Sequence, residues 1–243
     1  MTGSVLAPDP VLLDALPLSI DRDEVLRFQG YKKGSAPGAE VVALFDEARA
    51  LADGLLVPRV VYRAVPASLD GPDTIQAADR RLHIPEIGRL WGRLTHVGAA
   101  ICTIGGGLEA RVAALFDARE FPLAVMLDSV GSAAAEHLAE SANDRLCQLA
   151  LPLGLKVTNR VSPGYAGWNV ADQRALFALC PGDPAGVRLN DFCFMTPAKS
   201  ISFLVGIGPQ ARVDHYFTQC RRCWMADCAY RRAPGPRGAG RVA

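Results

Sequence analysis

The chain has 243 residues, 50% of them hydrophobic and 21% charged, with a formal net charge of +1. Such a composition describes a globular protein able to bury a sizeable core, and it excludes a disordered chain and, for the molecule as a whole, a nucleic-acid binder. No apolar run reaches membrane-spanning length, and the start Met1-Thr2-Gly3-Ser4 lacks the basic-then-apolar pattern of a signal peptide, so the reading is a cytoplasmic protein without a membrane partner.

Strand-like and helix-like patterns then alternate along the chain without a repeat. Asp21 to Gly30 opens with a capping Asp and places Val25, Leu26 and Phe28 on a short helical face. Ala39 to Leu56 carries Val41, Val42, Leu44, Phe45, Ala48, Leu51 and Leu55 at helical spacing. Val57 to Val65, Arg81 to Ile84 and His96 to Thr103 read as strands. Leu108 to Phe116 and Phe121 to Leu151 are helical in pattern, the second broken in its interior by Gly131, and Gln173 to Cys180 is a further helix. Leu189 to Met195 and Ser200 to Gly206 look like two strands joined across Thr196-Pro197-Ala198-Lys199. Helices running over one mixed or antiparallel sheet predict an α+β fold in one layered domain.

Charge is unevenly spread. From Ala211 to Ala243 there are seven arginines against Asp214 and Asp227, a surplus of five that leaves the rest of the chain at −4. Residues 233–243 have no apolar periodicity and read as a disordered basic tail.

Several motifs are weak. Gly105-Gly106-Gly107 lacks the Lys-Ser/Thr ending of a P-loop and the spacing of a dinucleotide fingerprint, so it reads as a strand-to-helix turn. His83, His96, His137 and His215 have no paired metal spacing, and Cys102, Cys147 and Cys180 sit in apolar stretches as small core residues. Ser132 lacks the second glycine of a nucleophile elbow, which argues against a hydrolase.

Two signals are stronger. In Asn159-Arg160-Val161-Ser162-Pro163-Gly164-Tyr165, Pro163 fixes its own φ and biases Ser162 towards extended geometry, while Gly164 permits a positive φ. The turn holds a planar guanidinium suited to a carboxylate or phosphate at one end and a phenol at the other. The second signal is Cys220-Arg-Arg-Cys223-Trp-Met-Ala-Asp-Cys228. Three thiolates leave a 4Fe–4S cluster one ligand short, or leave zinc wanting a fourth donor; Cys193, His215 or an external ligand are the candidates to complete either set. Arg221, Arg222 and Arg231 would favour the thiolate forms.

These residues carry a resemblance. Arg160-Val-Ser-Pro-Gly-Tyr165, Gln173 with Leu176-Phe177, Val187-Arg-Leu189 and Met195-Thr-Pro-Ala-Lys-Ser-Ile-Ser202 resemble the activation domain of cobalamin-dependent methionine synthase, and more closely its free-standing, shorter relatives. Leu26 to Lys32, Thr103 to Gly105 and Leu127 to Glu136 fit as well, so the likeness spans most of the body. It implies a methionine synthase activation-like domain over residues 15–215, with a cysteine-motif segment at 216–232 and the basic tail after it. In that family, cobalamin in the inactive cob(II) state is rescued by one electron and a methyl group from S-adenosylmethionine. The resemblance therefore implies an accessory component of a methyltransferase in methionine biosynthesis, acting on a corrinoid protein that carries the cobalamin. The chain itself has no Asp-x-His-x-x-Gly run.

By the same resemblance Arg160 would pair with the methionine carboxylate, backbone groups around Ser162 and Gly164 would reach the ligand, and Tyr165 would meet the nucleoside. Glu136, by a looser match, would hold the α-ammonium. Cys220, Cys223 and Cys228 would relay the electron through an iron–sulfur cluster, with an electron donor as a second partner. A non-catalytic, metal-stabilised adaptor binding a corrinoid protein domain is the alternative.

Overall fold

The computed structural model describes residues 4–13, 16–32, 35–165 and 167–214. Its elements in chain order begin with strand β1 (Val11–Leu12) and helices α1 (Arg22–Phe28) and α2 (Ala39–Ala52). Strands β2 (Arg59–Leu69), β3 (Thr74–Ala77) and β4 (Arg80–His83), helix α3 (Ile87–Trp91) and strand β5 (His96–Thr103) follow. Helices α4 (Gly107–Asp117) and α5 (Phe121–Ala150), strand β6 (Lys156–Val157), helix α6 (Gln173–Leu179) and strands β7 (Arg188–Leu189), β8 (Met195–Thr196) and β9 (Ser200–Gly208) complete the set.

Seven strands form one sheet in the order β4-β3-β2-β5-β9-β6, with β1 also on β2. Every ladder is antiparallel, which settles the sequence reading of a mixed or antiparallel sheet. Strand β2 pairs with β5 from Arg59↔Thr103 to Pro66↔His96, then continues alone against β3 from Ala67↔Ala77. The change of ladder partner falls at Pro66, which has no N–H to give to a ladder.

Both faces of the central strands are covered, so their side chains alternate between two cores. Val60, Tyr62, Cys102, Phe203, Val205 and Ile207 face a core shared with α1, α2, α4 and α5. Val61, Ile101 and Leu204 face a second core with Trp91 of α3, Leu176 of α6, Val161 and Trp168. Burial on both sides explains why these strands read as near-continuous apolar runs.

The helix expected over Phe121 to Leu151 runs unbroken through Gly131. A Cβ there would lie 2.7 Å from Leu108 Cδ2 and 3.4 Å from Lys199 Cε, so the missing side chain lets α4 and the start of β9 close onto α5. A second expectation is corrected. The segment 189–195 does not pair as a strand with 200–206; β9 lies in the main sheet against β5, from Ser200↔Thr103 to Ile207↔His96. Asn190 Oδ1 accepts from both Phe192 N and Phe194 N at 2.9 Å, which turns the chain back so that only β7 and β8 pair. Cys193 therefore sits in a turn at φ +63°, not on a strand.

Candidate functional site

The Arg160 loop begins as a broken edge strand. Lys156 and Val157 pair with Gly208 and Ile207, and Thr158 N donates to Gly206 O at 2.9 Å. Pairing resumes at Val161, whose N–H and C=O both bond Leu204. Strand alternation then sends Val161 into the second core and Arg160 to the opposite face, towards α5.

There Arg160 Nη2 meets Glu136 Oε2 at 2.6 Å and Glu140 Oε2 at 3.6 Å. Burial works against the guanidinium charge, yet Glu136, with Glu140 behind it, holds Arg160 above its ordinary range. The Cys102 thiol nearby is pushed up to about 12 by burial and stays neutral at physiological pH.

Beyond Arg160 the chain makes a tight, well-bonded turn. Tyr165 N donates to Ser162 O at 3.3 Å, Gly164 N to Trp168 O at 2.9 Å and Trp168 N to Tyr165 O at 3.0 Å. Gly164 takes φ +91°, the left-handed geometry that its residue type permits. Trp168 anchors the turn, buried in the second core with its indole N–H on Asp172 Oδ2 at 2.8 Å. Ser162 is buried, Gly164 is at the surface, and Tyr165 is half exposed.

The same face of α5 receives the Met195 to Ser202 segment. Lys199 Nζ reaches Asp128 Oδ1 and Ser132 Oγ, both at 2.8 Å, and its backbone N donates to Glu109 Oε1 at 2.6 Å. Asp128, Ser132, Glu136 and Glu140 are spaced by four residues, so they form one polar stripe along the helix. Lys199 occupies the first half of the stripe and Arg160 the second. Three stretches far apart in sequence thus meet on one helix face. Ser202 Oγ donates to Gln173 Oε1, which adds the start of α6 to the assembly.

A cleft of about 800 Å³ borders the loop at Asn159, lined also by Arg89, Trp91, Lys156, Arg212 and Asp214. Arg212 N donates to Trp91 O at 2.8 Å and Asp214 N to Asn159 Oδ1 at 3.0 Å. The chain is thereby led to the residue preceding Arg160.

Of the residues singled out from sequence, Arg160, Ser162, Gly164 and Tyr165 share this loop and Glu136 stands against it. Arg160 and Glu136, assigned by the resemblance to opposite ends of an amino-acid head group, are paired with each other. Glu140 and Lys199 were missed as site groups; Glu140 was legible as the residue one helical turn beyond Glu136. Cys193 is buried with Sγ 3.9 Å from Ala171 O, and Phe192 and Phe194 beside it are exposed. Cys220, Cys223, Cys228 and His215 lie outside the described residues, and among the described residues no cluster of three His, Cys, Asp or Glu side chains could hold a metal ion. None of the described helices is long and apolar enough to cross a membrane.

No protein-family model matches the chain, and no curated protein sequence is similar to it. Among solved structures, the crystal structure of the MetH reactivation domain bound to AdoHcy is similar, with a TM-score of 0.66 and 17% sequence identity over 90% of this chain and 86% of that chain. At that identity the likeness is one of fold: a curled antiparallel sheet with helices packed on it.

Proposed function

We propose that the chain binds S-adenosylmethionine along the Arg160 loop and supports the reductive methylation of cob(II)alamin on a separate corrinoid protein, as one component of a split cobalamin-dependent methionine synthase. The observation that carries this reading is the meeting of Arg160 with Glu136 and Glu140 beside a half-exposed tyrosine, in a fold like that of a reactivation domain with AdoHcy bound. A guanidinium next to carboxylates is the donor and acceptor set that an amino-acid head group requires, carboxylate to the Arg and ammonium to a Glu. The ligand's sulfonium supplies the methyl group.

The chain's own work is positioning. Arg160 fixes the head group, the backbone around Ser162 and Gly164 gives close approach, and Tyr165 offers a flat face to the nucleoside. Cys220, Cys223 and Cys228 belong to the same reading, as ligands of an iron–sulfur cluster that passes on the electron from a donor. Five residues lie between Asp214 and Cys220, so the six Cα–Cα steps reach at most about 22 Å. With Asp214 held on Asn159, a group bound at Cys220 would lie within that reach of Asp214.

The adaptor reading has one observation in its favour: Glu136 already occupies the guanidinium that the ligand would need. One anaerobic preparation separates the two. With a cobalamin-binding module of methionine synthase, a low-potential reductant and S-adenosylmethionine labelled in its methyl group, label is expected to collect on the corrinoid protein only when this chain is added. The same preparation should contain iron and acid-labile sulfide. No label transfer favours the adaptor, and zinc without sulfide removes the electron-relay part.

A further inference from the structure

Two carboxylates converge on one guanidinium. Glu136 and Glu140 both approach the same nitrogen, Arg160 Nη2, at 2.6 and 3.6 Å. They stand four residues apart, so the helix holds their like charges on one face, an arrangement that is unfavourable unless a cation joins them. Among the described residues, these three side chains together carry a net charge of −1. His137, between them in sequence, is turned elsewhere: its Nδ1 accepts from Ser19 N at 3.2 Å and lies 3.4 Å from Ser141 Oγ. Lys199 is held a turn and more away by Asp128 and Ser132. Cys102 contributes no charge, for the reason given above.

The charge of the ligand makes this net charge informative. S-adenosylmethionine carries a carboxylate, an ammonium and a sulfonium, and is +1 overall. Loss of its methyl group leaves a neutral thioether. The head group is a zwitterion and balances itself, so substrate and product differ by the sulfonium charge alone. Glu140 has 64% of its side chain exposed, against 25% for Glu136. It is the more exposed carboxylate of the pair.

Building on the function proposed above, we infer that Glu140 is a specificity residue, supplying the negative charge by which the site holds the cationic sulfonium and releases the neutral thioether. Its exposure keeps the effect modest and sensitive to salt, since a solvated charge acts through a high effective dielectric.

The test is calorimetric titration of the unaltered chain and of Glu140→Gln with S-adenosylmethionine and with S-adenosylhomocysteine, at low and high ionic strength. The substitution should raise the Kd for S-adenosylmethionine roughly three- to tenfold at low salt and leave that for S-adenosylhomocysteine within about twofold. The difference should shrink at high salt. An equal change for both ligands, or none for either, overturns the inference while the proposed function stands. Failure of the unaltered chain to bind either ligand overturns the function itself. A urea melt of both proteins confirms that the fold is the same.

Discussion

Arg160 holds its charge in a place where burial works against it, and Glu136 is the group that makes the charge tenable. Both side chains are mostly covered, at 21% and 25% exposure, so the pair is worth more than a surface bridge and less than a fully desolvated one. Glu136→Gln is expected to lower stability by about 1–2 kcal/mol, because Glu140 remains as a second partner. Urea denaturation checks this, and a loss below experimental error would mean that the pair is solvated. At this scale Arg160 was legible as the cation of a stiff loop, and Glu136 through the family likeness. Its pairing with Arg160 was not, since 24 residues and a change of element separate them. Lys199 hid for the same reason: its partners Asp128 and Ser132 lie on a helix about seventy residues earlier.

Helix α5 is the element around which the site is arranged. Its 30 residues span about 45 Å, with one flank in the main core and the stripe from Asp128 to Glu140 beside it. Gly131 sets how closely α4 and Lys199 approach, and Leu108, fully buried, has no room to withdraw. Gly131→Leu should therefore destabilise the protein by about 3 kcal/mol despite leucine's better helix propensity, because the clash outweighs the gain of roughly 1 kcal/mol. A midpoint in urea equal to or above that of the unaltered chain would show that the contact is slack. Most elements could be read from apolar spacing, including α2, β5, α4, α6 and the full length of α5. Gly131 was taken as a break because sequence shows glycine's low helix propensity but not the neighbour that requires it. The expected strand over 189–195 failed on side-chain chemistry: Asn190 caps two backbone N–H groups and bends the chain before a ladder can extend. Short β1 and β6 owe their pairing to partners remote in sequence, β3 sits in local hairpins with β2 and β4, and two to four residues leave no period to detect.

Over the whole molecule, the described sheet is covered on both faces along its central strands and has one of its edges at β6, which the Arg160 loop continues; the proposed function puts the ligand at that edge. The chain is also brought back to that edge, where Asp214 binds Asn159. The proposed role of the acidic stripe of α5 depends on the loop being a ligand site. Isothermal titration of the unaltered chain and of Arg160→Ala with S-adenosylmethionine tests that dependence most directly. Saturable binding by the unaltered chain is expected, with at least a hundredfold weaker binding by Arg160→Ala, roughly the loss of a bidentate charge-assisted contact together with the penalty of unpaired carboxylates. Equal affinity in the two proteins, or no heat from the unaltered chain at millimolar ligand, would contradict it.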